Sequence, residues 1–300
     1  MLLKSVKEEF VFDCQCRKLS DKTINNYGKQ IEYLFNYLQE EKGIIDIEEV
    51  KPQHVKQFLM MIRSKGRTVT YFNDLLKAFK VFFRYAYEEG YTEELITEKI
   101  KNAKKEKIII RTFSEGETKR LINFYDGNDY LDIRNKTIIL MFIDTGIRLS
   151  ELTGLTEEQI KYDYIIIKGK GEKERVVPKS PMLSKWLSKY MAVRNSYFQY
   201  KNVPPNIFLT KNGKLLDSSP VDTVLKKAGR GCEVSKDIRV SAHTFRHTYA
   251  QYQLKAGLDL YSLSRLLGHE NISITQTYLN GMKDIDVLQQ AQKTSPLMNL

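Results

Sequence analysis

Histidine and cysteine are scarce in this 300-residue chain, with four of the first and three of the second. Three thiols, Cys14, Cys16 and Cys232, cannot build a disulfide framework for a protein of this size. The C-x-C pair also lacks the second pair of ligands that a structural zinc site requires. The cysteines therefore read as reduced and structurally silent. No stretch approaches the roughly 20 apolar residues that a membrane span needs, and "MLLKSVKEEF" carries charges where a signal peptide needs an apolar run. These absences point to a cytoplasmic protein that does not enter a membrane. No repeat, low-complexity tract or G-x-x-x-x-G-K-[ST] phosphate loop is present, so nothing suggests an ATPase.

What the chain does have is an excess of positive charge: 48 basic against 37 acidic residues, a net charge of +11. The acidic residues are plentiful, so this is a folded protein with basic faces rather than a basic tail. Such a balance suits a polyanion, and nucleic acid is the commonest one in a cytoplasm. Charge alone leaves open a basic protein with no such partner. A hydrophobic content of 42% is ample for real cores, and the length favours two modest domains over one large one.

The first hundred residues read as helix almost throughout. In "LSDKTINNYGKQIEYLFNYLQEE", Ser20 is a cap and Ile24, Tyr27, Ile31, Leu34, Phe35 and Leu38 follow the spacing of one helical face. "KPQHVKQFLMMIRSKG" has Pro52 in the first turn and Gly66 just past the end, and "TVTYFNDLLKAFKVFFRYAYEEG" closes on Gly90. A lysine-dense stretch follows. The expected organisation is a helical domain over residues 1–101, a linker at 102–112 and a second domain over 113–300, begun by the capping box of Ser114 and Glu117.

The second part mixes textures. "LDIRNKTIILMFIDTG" predicts a buried helix stopped by Gly146, "YDYIIIKGKGEKERVVPK" a hairpin, and "PMLSKWLSKYMAVRNSY" a helix. "NIFLTKNGKLL" reads as a small hairpin turning at Asn212-Gly213. The expected fold class is mainly α (α+β): an all-helical first domain and a mostly helical second domain with a small antiparallel sheet.

Three of the four histidines, His243, His247 and His269, fall within 27 residues. On a helix formed by "SAHTFRHTYAQYQL", His243 and Arg246 are neighbours on one face. The spacing of His243 and His247 also suits a metal pair, but the zincin glutamate is missing and an arginine stands beside them. A guanidinium next to an imidazole suits a phosphate instead, although a structural pair bonded to backbone carbonyls is the ordinary alternative. "DTGIRLSELTGL" places Arg148 just after a helix-stopping glycine, at the head of a new helical turn. "KGKGEKER" sets Lys170 between two glycines, where backbone can approach a ligand closely. Each has a bland reading as a surface residue. Together they supply two guanidiniums, an ammonium and imidazoles, with no carboxylate pair or cysteine set for a metal. That inventory suits attack on a phosphodiester without a metal or any other cofactor. The attacking group then has to be a phenol, and among 18 tyrosines Tyr249, Tyr252 and Tyr261 compete on proximity with Tyr278.

With "TGIRLSEL", "GKGEKERVVP", "HTFRH", "LLGH" and a late tyrosine in order, the chain resembles the tyrosine site-specific recombinases, the lambda-integrase family, over nearly its whole length. The likeness is to short members, whether Xer-like or from mobile elements. It implies that residues 1–101 form a core-binding domain and 113–300 a catalytic domain, clamping DNA between them. It further implies that Arg148 and Arg246 grip the scissile phosphate, Lys170 protonates the leaving 5′-oxygen, His243 serves as general acid/base and His269 bonds the phosphate. Tyr278, nine residues after His269, becomes the nucleophile that is joined to a 3′-phosphate. Lys173 is the competing lysine in the same turn, and His247 reads as packing. "NISITQ" reads as a polar connector that moves Tyr278 in and out of the site. The implied partners are double-stranded DNA at core recombination sites, a Holliday junction, three further copies of the chain in a tetramer, and accessory DNA-bending or directionality proteins. A helix at about 284–293 would dock into a neighbouring protomer or in cis. A type IB topoisomerase and a catalytically silent DNA-binding accessory protein are the alternatives to a recombinase.

Overall fold

The computed structural model describes residues 1–104, 111–169 and 174–279. By its internal contacts the chain divides into two units, Met1–Lys107 and Ile108–Leu300. The expected linker straddles that division, and its residues 105–110 lie outside the described ones.

The first unit is helical: α1 (Leu3–Cys16), α2 (Asp21–Lys42), a 3-10 turn (Ile47–Glu49), α3 (Pro52–Ser64) and α4 (Val69–Glu88). The local signals act as read. The Ser20 hydroxyl accepts from the Thr23 N–H to start α2, and Gly43 ends it in the left-handed region at φ 68°. Pro52 opens α3, and the Thr68 hydroxyl caps α4. Each helix turns a stripe inward, and the stripes meet in an aromatic centre where Phe10, Phe35, Phe58 and Phe82 make tilted or edge-to-face contacts with neighbouring rings. Helix α1, which the sequence signals do not single out, supplies Phe10 and Val6 to this core.

The second unit runs α5 (Glu115–Asn123), α6 (Tyr130–Thr145), α7 (Leu149–Gly154), a 3-10 turn (Glu157–Gln159), β1 (Tyr164–Lys168), β2 (Glu174–Pro178), α8 (Pro181–Tyr197), α9 (Ser218–Gly231), α10 (Ala242–Lys255), α11 (Leu260–Leu267) and α12 (Ile272–Gln276). The capping box forms: the Glu117 N–H donates to the Ser114 hydroxyl and the Ser114 N–H to the Glu117 carboxylate. Helix α6 is the buried axis of the unit and packs against α8 and α10. Strands β1 and β2 pair antiparallel, with Ile165 opposite Val177 and Ile167 opposite Arg175. The architecture is mainly α with this small sheet, as the patterning predicts.

The second expected hairpin is a turn instead. Leu209 and Leu215 form one isolated bridge around Gly213, and no strand develops. The reason is that its carbonyls are taken by side chains of α6 and α8. Tyr130 and Arg134 both donate to the Leu209 oxygen, Tyr190 to that of Ile207 and Arg194 to that of Asn206.

Where the chain enters this unit it lies along α10. The Thr112 hydroxyl donates to the Gln251 side chain at 2.7 Å, the Phe113 N–H donates to the Thr248 hydroxyl, and the Phe113 and Phe245 rings meet edge-on at 4.8 Å. No helix among the described residues is long and apolar enough to cross a membrane.

Candidate active site

Two glycines in left-handed conformation set the frame of the site. Gly146 (φ 58°) ends α6 and Gly268 (φ 65°) ends α11, and both are required on space as well as on φ. A Cβ on Gly146 would sit 2.5 Å from the Tyr249 ring, and one on Gly268 would sit 2.8 Å from Cδ of Arg175. The carbonyls at these helix ends point to guanidiniums. Arg246, on α10, donates to the Gly146 oxygen at 2.8 Å and to the Leu267 oxygen, while Arg148, the N-cap residue of α7, donates to the Gly268 oxygen at 3.0 Å. Helix C-termini carry partial negative charge, so each guanidinium is held by the end of a helix other than its own.

The two arginines differ in access. Arg246 is 3% exposed, and burial beside Arg148 lowers its pKa to about 10. The Arg148 side chain is 40% exposed and reaches a cleft of about 1420 Å³. His269, Lys168, Gly169 and Arg175 also line this cleft.

Behind Arg148 stands Glu151, with its side chain 6% exposed. One oxygen accepts from Arg148 Nη1 (2.8 Å) and Arg175 Nη1 (2.7 Å), the other from the Arg148 backbone N–H (2.8 Å) and Arg175 Nη2 (2.7 Å). Burial would raise the Glu151 pKa, but the two arginines outweigh it and hold the carboxylate at about 2.

The imidazoles form the other side of the site. His269 Nε2 lies 3.0 Å from Arg246 Nη2, and its Nδ1 lies 2.8 Å from the Thr275 hydroxyl. Since the guanidinium can only donate, Nε2 accepts and the proton sits on Nδ1 facing Thr275. Burial and the nearby arginines push the His269 pKa down to about 4. His243 is lowered by burial, Arg246 and Arg148. His247, one turn from His243, has its ring 4.5 Å from that of His243, and burial with His243 and Arg246 brings it to about 4. All three are therefore neutral near pH 7.

Tyr278 closes the group. It is 3% exposed, its ring stacks on His269 at 6.1 Å and meets His247 edge-on at 5.1 Å. Leu263, Leu267 and Tyr249 pack around it. Burial raises the Tyr278 pKa, and Arg246 and Arg148 oppose that rise. The residues between His269 and Tyr278 form α12 rather than an open connector: Asn271 caps it, and Thr275 is fully buried against His269.

The structure thus brings Arg148, Arg246, His243, His269 and Tyr278 into one neighbourhood. Lys170 and Lys173 lie outside the described residues, as does the helix expected at 284–293. Of the rival tyrosines only Tyr249 borders the site, and it does so as packing. Tyr249 faces Gly146, the Tyr252 hydroxyl lies 3.3 Å from that of Thr118, and Tyr261 is 64% exposed. Sequence reasoning gives no part to Glu151, Arg175 and Thr275 and reads His247 as packing only. Glu151 has a readable signal in its place three residues after the N-cap Arg148, and Arg175 in its inward position opposite Ile167 on the hairpin.

The family model described as the phage integrase family matches residues 111–284, and that of the phage integrase N-terminal SAM-like domain matches residues 14–90. The chain is 30% identical over 275 residues to a tyrosine recombinase XerC of Syntrophus aciditrophicus, covering 87% of this chain and 88% of the relative. It is 27% identical over 269 residues to a tyrosine recombinase XerD of Halalkalibacterium halodurans, covering 89% of each. In fold it is similar to the XerH site-specific recombinase bound to palindromic difH substrate in a post-cleavage complex, with a TM-score of 0.76 at 17% identity over 94% of this chain and 81% of that one. A lambda integrase dimer bound to a COC′ core site aligns with a TM-score of 0.74 at 17% identity, over 94% and 96% of the two chains. With its helical first unit, its small hairpin and the matched span that runs from the start of the second unit through Tyr278, the chain belongs to the phage integrase family and is a tyrosine recombinase.

Proposed function

We propose that this tyrosine recombinase recombines double-stranded DNA at specific sites, cutting and rejoining strands through a covalent 3′-phosphotyrosine at Tyr278. The observation that carries the reading is the convergence of Tyr278 and Arg246, both buried, with His269 and Arg148, which line the cleft. Arg148 and Arg246 take the non-bridging oxygens of the scissile phosphate. Their charge offsets the negative charge that builds on the phosphorane, and one such preorganised donor is worth roughly 100- to 1,000-fold in rate. A phenol with an ordinary pKa near 10 is a poor nucleophile at neutral pH, so it needs cationic surroundings or a base. The arginines supply the first and neutral His243 the second. His269 adds a hydrogen bond to the phosphate, and Lys170 protonates the departing 5′-oxygen.

The Tyr278 oxygen forms its bond to phosphorus as the bond to the 5′-oxygen breaks. The phosphodiester's free energy stays in the protein–DNA link. A 5′-hydroxyl from a partner duplex then attacks the phosphotyrosine and releases Tyr278, so no ATP and no metal is needed for resealing. Two such exchanges pass through a Holliday junction. The reading extends to a tetramer acting on two duplexes in the cytoplasm, with residues 1–101 and the catalytic domain both binding DNA and the 284–293 helix joining protomers. Accessory DNA-bending or directionality proteins fit the same scheme. The relatives named XerC and XerD, at 27 to 30% identity over most of the chain, support it.

The test is adduct trapping. Protein incubated with fragments of its own genome should yield a protein–DNA adduct that survives denaturation and maps to discrete sites. Tyr278→Phe should yield none. An adduct formed by the Tyr278→Phe protein, or none formed by the natural one, would overturn the reading.

A further inference from the structure

Glu151 orients Arg148, but a carboxylate placed at a phosphate-binding guanidinium also neutralises it. Were Glu151 and Arg148 alone, the pair would carry no net charge and the arginine would be a poor ligand for an anion. Arg175 changes that balance. Its two Nη atoms meet both carboxylate oxygens at 2.7 Å in a bidentate fork, with the side chain 10% exposed. One glutamate between two arginines leaves the cluster at net +1.

We infer that Arg175 is a positioning residue for strand cleavage: it takes up the charge of Glu151, so that Arg148 is aimed by the carboxylate without being neutralised by it. The inference rests on the reading of Arg148 as a phosphate ligand. Three further features support it. Arg175 Nε donates to the Leu266 oxygen at 2.7 Å, so the guanidinium that meets Glu151 is also anchored to the end of α11 and held in one orientation. The route of its side chain passes Gly268, where a Cβ would meet Cδ and Nε at 2.8 and 3.2 Å. The hairpin also places Arg175 opposite Ile167 and in line with inward-facing Val177, a position at which an aliphatic residue would serve if packing were the only demand.

The test is the single-turnover rate of adduct formation by full-length protein on a nicked suicide duplex carrying a mapped site. Arg175→Met should slow adduct formation by roughly 10- to 100-fold, the scale known for groups that orient metal ligands by hydrogen bonds. Removing the opposing charge as well, in Arg175→Met/Glu151→Gln, should recover at least about threefold of that loss, because the amide put in place of the carboxylate can still accept from Arg148. Arg175→Lys keeps the charge and gives up the fork, and should be clearly faster than Arg175→Met. A double variant no faster than Arg175→Met, or a lysine variant equally slow, would overturn the inference, since loss of a purely structural contact is not repaired by a second loss. Should Arg175→Met fail to fold, Arg175→Gln takes its place in the same comparison. Arg148→Ala separates the two levels. If it cleaves normally, the phosphate-ligand reading itself fails; if it is inactive while Arg175→Met cleaves at the natural rate, only the role of Arg175 fails.

Discussion

The two sides of the site are held by different forces. Arg148, Glu151, Arg175 and Arg246 are bound by short charge-assisted hydrogen bonds to one another and to backbone carbonyls. Tyr278 is held mainly by ring packing against His269 and His247 and by the leucines around it, with its hydroxyl turned to the Arg246 guanidinium. His247 Nδ1 and the Tyr249 hydroxyl are buried there without a hydrogen-bond partner among the described residues. Charged networks fix geometry in direction as well as distance, whereas packing contacts are non-directional and easily reformed. Under the proposed mechanism, the frame that receives a phosphate benefits from the first kind of restraint, and a nucleophile bonded and released in each cycle from the second.

The largest break in this contrast should come from Arg246→Ala and Arg148→Ala. Both should slow adduct formation by roughly 100- to 1,000-fold. Arg246→Ala should cost more stability, by a few kcal/mol, because it strands the buried carbonyls of Gly146 and Leu267 at about 1–3 kcal/mol each, whereas Glu151 keeps Arg175 when Arg148 is lost. Urea unfolding of the two variants measures the difference, and equal stabilities would erase it.

Acid should attack the two sides in separate windows. His247 and His269 have folded pKa values near 4, below the ordinary 6.5, so the unfolded chain binds more protons between those limits. Stability is therefore lost as pH falls from about 6.5 to 4. For Glu151, held near 2 against an ordinary 4.5, the same sign applies and the loss runs from about 4.5 to 2. Glu151, with its side chain 6% exposed, is worth on the order of 3 kcal/mol, and each half-buried imidazole less, about 1–2 kcal/mol once solvent screening acts. Unfolding followed across pH should show both steps, with Glu151→Gln removing the lower one and His269→Gln reducing the upper one.

The smallest effect joins the two sides. Thr275→Val takes away the acceptor of the His269 Nδ1 proton, costing about 1–2 kcal/mol in stability and a few-fold in cleavage rate. A variant indistinguishable from the natural protein in both would show that His269 is oriented by Arg246 alone.

Much of this arrangement is legible in the sequence where a local rule acts. Ser20, Pro52, Ser114 and Gly146 begin or end helices because capping depends on residues within one turn. The single bridge at Leu209–Leu215 is not legible, because what removes the hairpin is carbonyl capture by Tyr130, Arg134 and Tyr190, which are distant in sequence. The same holds at the site. "TGIR" and "HTFR" point to a phosphate only when taken together, and the role of His269 in "LLGH" comes from the family resemblance. The pairing of Arg175 with Glu151, 24 residues apart, and of Thr275 with His269 across α12 appears only when the chain is folded. Folding also gives His247 a place against the ring of Tyr278 that its motif position does not announce.

Helix α10 has no idle side. One surface presents His243, Arg246 and His247 to the site, and another carries Phe245, Thr248 and Gln251, against which residues 112 and 113 are fastened. The first residues of the second unit are thus a brace for the part that does the chemistry. A fragment begun at residue 114 would keep every residue assigned to catalysis and still lose two hydrogen bonds and a ring contact from the helix that aligns them, so the working boundary of the catalytic unit lies upstream of its first helix.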